Sequence, residues 1–82
     1  MFYAYILQLS DGTYYTGFSA NLKQRYREHM FGLVPQTRNL RPLKLVYYCA
    51  FELKKKALDF EKYLKTQSGF VFKNKHLIEH IR

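Results

Sequence analysis

Two tyrosines, an arginine, a histidine and a glutamate in this chain are of types that move protons or pair with anions, and their spacing groups them. Tyr5 and Tyr15 flank the turn signal Ser10-Asp11-Gly12, so a hairpin would set them side by side. Arg25 and His29 are one helical turn apart, and Glu61 lies in a second stretch of helical periodicity. Arginine offers an oxyanion a rigid fork of donors. Tyrosine loses its proton only at about pH 10, so it serves as a base where a cation lowers that value. Each residue also has a plainer reading. Tyr5 and Tyr15 could be a cross-strand packing pair. Arg25 and His29 could be generic phosphate contacts on a basic helix, and Glu61 could pair with Lys65 one turn on.

Two other groupings compete. His76-Leu77-Ile78-Glu79-His80 fits the H-x-x-E-H pattern of inverted zinc peptidases, in which histidines four apart share a metal. His80 is followed by only two residues, which leaves no downstream third ligand, so a coincidental helix face is the expectation. The second grouping is basic: Arg38, Arg41 and Lys44, then Lys54, Lys55, Lys56, Lys62, Lys65, Lys73 and Lys75. Such residues position a polyanion without reading its sequence, although Lys54 to Lys56 also fit a solvated first turn of a helix.

The charge is lopsided. Net charge is +8, and all 14 Lys and Arg lie from Lys23 onward, while the residues before it carry only Asp11. A positive potential concentrated on part of a small domain attracts nucleic acid, the commonest intracellular polyanion. One cysteine, Cys49, rules out an internal disulfide and suits a reducing compartment. No run of about 18 apolar residues is present for a membrane span, and Met1-Phe2-Tyr3-Ala4-Tyr5 lacks the basic start of a signal peptide. The expected location is the cytoplasm. At 82 residues the chain is expected to form one domain, 1–82, with a thin core.

The elements that must hold these residues follow from periodicity. Residues 2–9 and 13–18 are rich in aromatic and β-branched side chains and predict a hairpin. Alternation puts Tyr3, Tyr5, Leu7 and Leu9 on one face of the first strand, with Tyr15 and Gly17 on one face of the second. Residues 22–30 predict a helix capped by Ser19 or Asn21, with Leu22, Tyr26 and Met30 as its apolar stripe and Arg25 and His29 along one border. Residues 33–43 read as a basic loop. Residues 44–51 predict a third strand, apolar enough to be central or covered on both faces. Residues 53–67 predict a helix buried along Leu53, Ala57, Phe60 and Leu64, with Glu61 on the flank, and residues 70–81 a last helix. The order is β-β-α-β-α-α, a small α/β sandwich.

In this order the sequence resembles the GIY-YIG nuclease family over nearly its whole length. Tyr3-Ala4-Tyr5 stands where the family has GIY, and Tyr15-Thr16-Gly17 where it has YIG. An arginine eight residues after that glycine and a histidine four further on are Arg25 and His29, and the glutamate of the later helix is Glu61. No single piece is specific; the joint order and spacing is. The resemblance implies a three-stranded sheet flanked by helices, with Tyr5, Tyr15, Arg25, His29 and Glu61 as catalytic residues on one concave face. It implies that Glu61 holds a Mg²⁺ or Mn²⁺ ion that polarises the phosphate and that Arg25 pairs with non-bridging oxygens. Tyr5 and Tyr15 would orient or deprotonate the water, and His29 would shuttle a proton. Gly17 would let the backbone approach the substrate. Apart from the resemblance, the basic residues Arg38, Arg41, Lys44 and Lys65 are expected to contact phosphates. Two departures stand out: Tyr-Ala-Tyr in place of Gly-Ile-Tyr, and Phe18 directly after Gly17.

The expected function is therefore metal-dependent hydrolysis of nucleic-acid phosphodiesters, DNA ahead of RNA, with little sequence preference. The rivals are a nucleic-acid-binding module that keeps the fold without turnover, and a small adaptor whose basic face meets an acidic protein.

Overall fold

Asp11 and Gly12 close the hairpin. Gly12 takes φ 87°, a conformation L side chains rarely adopt, and the Asp11 carboxylate accepts from the Thr13 amide (3.0 Å) and hydroxyl (2.6 Å). The strands it joins are Phe2–Gln8 (β1) and Tyr14–Ser19 (β2). The computed structural model describes residues 1–66, in which Leu22–Met30 (α1), Lys44–Phe51 (β3) and Lys54–Leu64 (α2) follow. All three strands pair antiparallel in the order β2-β1-β3.

Alternation along the strands sorts the core into two layers. On one face Tyr5, Leu7 and Leu9 are buried against Tyr15, Leu45 and the α1 residues Leu22 and Tyr26. On the other, Ile6 and the α2 residue Leu64 are buried against Tyr14, Val46, Tyr47 and Phe60. A helix therefore covers each face of the sheet, as the small α/β sandwich requires.

Three expectations are corrected. The third strand is an edge strand, and β1 is the central one. Ala4, Tyr5, Ile6 and Leu7 are all buried, whereas β3 alternates between half-buried and exposed; an apolar run marked the wrong strand because β3 is covered mainly where α2 crosses it. In α1 the inward position belongs to His29 and not to Met30, which is exposed. At 100° per residue His29 lies nearer the line through Leu22 and Tyr26 than Met30 does, and its polar atoms have partners there. Finally, Leu53 is the exposed N-terminal cap of α2, not part of its buried line, and α2 ends at Leu64. The expected last helix over 70–81, with the His76–His80 pattern, Lys73 and Lys75, lies outside the described residues.

Between α1 and β3, the basic loop is packed rather than loose. Val34 and Thr37 are buried, and a short 3₁₀ turn spans Arg38–Leu40. Asn21 caps α1, its side chain accepting from the Gln24 amide at 3.1 Å.

Candidate active site

β1 and β2 bring the two tyrosines together. Tyr5 lies opposite Gly17 and Tyr15 opposite Leu7, a diagonal that sets the ring centroids 6.4 Å apart. α1 crosses the same face and lowers His29 onto both rings, at 5.7 Å from Tyr5 and 5.2 Å from Tyr15, edge-on in each case. Gly17 is what permits the approach: a Cβ there would overlap the Tyr5 ring and hydroxyl. The glycine acts first on Tyr5, within the fold.

A chain of polar contacts runs through this layer. The Tyr5 hydroxyl is 2.9 Å from His29 Nε2, and His29 Nδ1 is 2.8 Å from the Thr37 hydroxyl. Tyr5, His29 and Thr37 are each buried almost completely. Burial sets their protonation. It pushes the Tyr5 hydroxyl up to about 12, against the smaller opposing pull of the Arg25 guanidinium beside it. It pushes His29 down to about 4, helped by the Arg25 charge. At neutral pH the tyrosine keeps its proton and the imidazole is neutral, with one donor and one acceptor nitrogen. The tautomer with hydrogen on Nδ1 satisfies all three groups: Tyr5 donates to Nε2, and Nδ1 donates to Thr37.

Arg25 joins this buried chain to the surface. Its guanidinium interacts with the Tyr5 hydroxyl and donates to Glu28 at 2.9 Å. It also lines an open groove of about 380 Å³ with Phe18, Ser19, Asn21, Gln24 and Glu28. Glu28 thus occupies the guanidinium where an external oxyanion could. Its carboxyl is held below the usual range by that contact, and Gln24 donates to it at 3.4 Å.

Glu61 is set apart. Its helix packs on the Ile6 face, and its largely buried carboxylate accepts from Lys65 at 2.8 Å. It reaches the cluster through its charge, which helps raise the Tyr5 hydroxyl. Among the described residues no three His, Cys, Asp or Glu side chains gather to enclose a cation. Among these residues a zinc-type site made wholly of side chains does not fit. A hard cation that keeps most of its waters and takes one carboxylate does.

The basic residues divide. Lys65 is engaged by Glu61. Arg41 donates to the Met30 carbonyl (3.1 Å) and the Arg38 carbonyl (2.9 Å), pinning the loop to the end of α1. Arg38 and Lys44 are exposed. Glu28 and Thr37 were not singled out in the sequence. Glu28 had a readable signal, lying three residues from Arg25 on one helix. Thr37 had none, since nothing in a loop's sequence reports which helix residue it touches.

Comparison with known proteins agrees with this fold. The family profile described as the GIY-YIG catalytic domain matches residues 1–75. A UPF0213 protein of Limosilactobacillus reuteri is 35% identical over 82 residues, covering 96% of this chain and 84% of that one. One from Clostridium perfringens is 42% identical over 66 residues, covering 79% and 71%. The solution NMR structure of a UPF0213 protein from Bacillus halodurans superposes with a TM-score of 0.54 at 31% identity, covering 92% of this chain and 86% of that one. Among the described residues no helix is long and apolar enough to cross a membrane.

Proposed function

The chain belongs to the GIY-YIG family, and from that premise we propose that it is a metal-dependent endonuclease that hydrolyses nucleic-acid phosphodiesters, DNA ahead of RNA, with little sequence preference. One observation carries the reading. The α1 face buries a hydroxyl, an imidazole and a threonine where aliphatic side chains would serve stability as well, and it connects them through Arg25 to an open groove.

In this mechanism a phosphate entering the groove replaces the Glu28 carboxylate on Arg25. The guanidinium then offers two parallel donors to the non-bridging oxygens, where charge grows in the transition state. Tyr15, half-buried and nearer to solvent than Tyr5, orients the attacking water. Tyr5 keeps its proton, directed at His29 Nε2, and its oxygen accepts from Arg25, so the buried pair holds the guanidinium in place at the groove. A Mg²⁺ or Mn²⁺ ion held by Glu61, water and substrate oxygens would supply Lewis-acid polarisation of the phosphate. Glu61 must leave Lys65 to take that role. That ion pair favours the second reading, a module that binds nucleic acid without cutting it.

The test is digestion of single-stranded, duplex and branched DNA and RNA with and without Mn²⁺, using wild type and Glu61→Gln. The expected result is cleavage by wild type only with metal, and none by the Gln variant, whose nucleic-acid affinity stays within about threefold, less than a single hydrogen bond to a charged group is worth. Undiminished cutting by Glu61→Gln would remove the metal role. Binding by wild type without cutting of any substrate would establish the second reading.

A further inference from the structure

The end of α1 presents apolar side chains to solvent from a rigid turn. Phe31 is 71% exposed, Leu33 69% and Met30 49%. The helix closes by two backbone hydrogen bonds, Gly32 to the His29 carbonyl (3.2 Å) and Leu33 to the Glu28 carbonyl (2.9 Å), with Gly32 at φ 76°. This closure usually comes with an apolar contact between the residue after the glycine and one a turn back in the helix. Here the residue a turn back is Glu28, so Leu33 has no apolar partner at that position and points away. Arg41 fixes the turn further through the Met30 carbonyl and sits against Gly32.

The surroundings select the partner. No Asp or Glu occurs between Glu28 and Glu52, while Arg38, Arg41 and Lys44 all lie in that interval, and Arg27 is exposed on the preceding turn. A second copy of this chain, itself at +8, would meet repulsion there. A strand of nucleic acid offers both things the patch lacks, negative charge and flat apolar rings. The turn is also hydrogen-bonded to Glu28 and His29, and so is fixed relative to the groove.

We infer that Phe31 and Leu33 form a base-stacking contact that receives unpaired nucleobases of a strand whose backbone runs along Arg38 and Arg41. The inference rests on the nuclease reading only for the identity of the strand as substrate. Paired bases in a duplex are already stacked and cannot take up the contact, so the patch selects strands, gaps and frayed ends over intact helix. Apolar side chains at this kind of surface either stack under single bases or wedge between steps.

The experiment measures binding in EDTA, where no cleavage occurs, of a single strand, the corresponding duplex and the same duplex with an unpaired gap. Wild type is expected to bind strand and gap more tightly than duplex. The surface variant Phe31→Ser with Leu33→Ser should lose about tenfold or more on strand and gap, the scale of one lost base–aromatic stack. Duplex affinity and the salt slope should not change. Phe31→Trp should restore strand binding and, in a protein without tryptophan, report the contact directly by quenching of its fluorescence. Equal affinity of wild type and the Ser variant for strand and gap would overturn the inference, as would a dimer in wild type that the Ser variant abolishes. Stacking-dependent binding by a protein that never cuts would uphold this contact and defeat the nuclease reading. Cutting by a protein whose Ser variant binds normally would do the reverse.

Discussion

The two faces of the sheet are built by different rules. The α2 face is held by Ile6, Ala57 and Leu64, buried and aliphatic, with Phe60 beside them. The α1 face buries Tyr5, His29 and Thr37 as well as Leu7. Each buried polar atom on the α1 face must keep its partner, because an unpaired one costs about 1–3 kcal/mol, and none is left unpaired among the described residues. An 82-residue chain has little stability to spare for such a layer. The contrast shows how stability and chemistry are distributed: the α1 face carries the chain of buried polar groups, while the α2 face carries most of the aliphatic core and contributes Glu61 at its flank.

The largest effects should fall on opposite sides of that divide. Leu64→Ala removes a fully buried side chain and should cost about 2–5 kcal/mol in urea denaturation, while the folded fraction cuts at the wild-type rate. Arg25→Ala should lower single-turnover cleavage roughly a hundredfold, the scale for losing a preorganised donor, with a small change in stability. Arg25→Lys should not rescue, since a point charge does not reproduce the two-pronged geometry. If Leu64→Ala slowed the folded enzyme as much as Arg25→Ala does, the two faces would not be functionally distinct.

The pH dependence of stability sharpens the same contrast. His29 titrates at about 6.5 in the unfolded chain and at about 4 when folded, so between those values the unfolded chain binds more protons. Stability should fall as pH drops from 6.5 to 4, by on the order of 2 to 3 kcal/mol. His29→Gln should remove that part of the slope and leave the carboxylate part. Thr37→Val leaves Nδ1 unpaired and frees the tautomer, so it should cost stability and about tenfold in rate, a hydrogen bond's worth. Thr37→Ser should restore both. Equal losses in the Ser and Val variants would reduce Thr37 to packing.

The strand order of types and the hairpin could be read from the sequence because they depend on local signals, the period-two alternation and the Asp11-Gly12 turn. The pairing of Tyr5 and Tyr15 followed directly from that hairpin. The position of His29 did not, since helical periodicity favours it over Met30 only slightly, the more apolar Met30 looks the better core residue, and the partners that satisfy the imidazole come from other elements. Edge or centre for β3 was likewise a property of the sheet, not of the strand. Thr37 is the clearest case: its role exists only because a loop folds back on α1, and that contact leaves no periodic trace. The resemblance named Glu61, and the fold adds what a motif cannot, that this carboxylate has a competing partner in Lys65.

The smallest effect concerns the rim, and it depends on telling its two arginines apart. Arg41 spends its donors on the Met30 and Arg38 carbonyls, so Arg41→Ala loosens the turn as well as removing a charge. Arg38 is exposed in the 3₁₀ turn and contributes charge alone. Arg38→Ala should therefore weaken nucleic-acid binding severalfold and reduce the log–log salt slope by about one contact. The single-turnover rate at saturating protein should be untouched. Arg41→Ala should show the same slope change and, in addition, weaker preference for unpaired strand, because the Phe31–Leu33 turn loses its anchor. Affinity titrations at several salt concentrations, run on strand and duplex side by side, separate the two. A drop in the saturated cleavage rate for Arg38→Ala would place that guanidinium at the reacting phosphate and extend the chemistry beyond the α1 face.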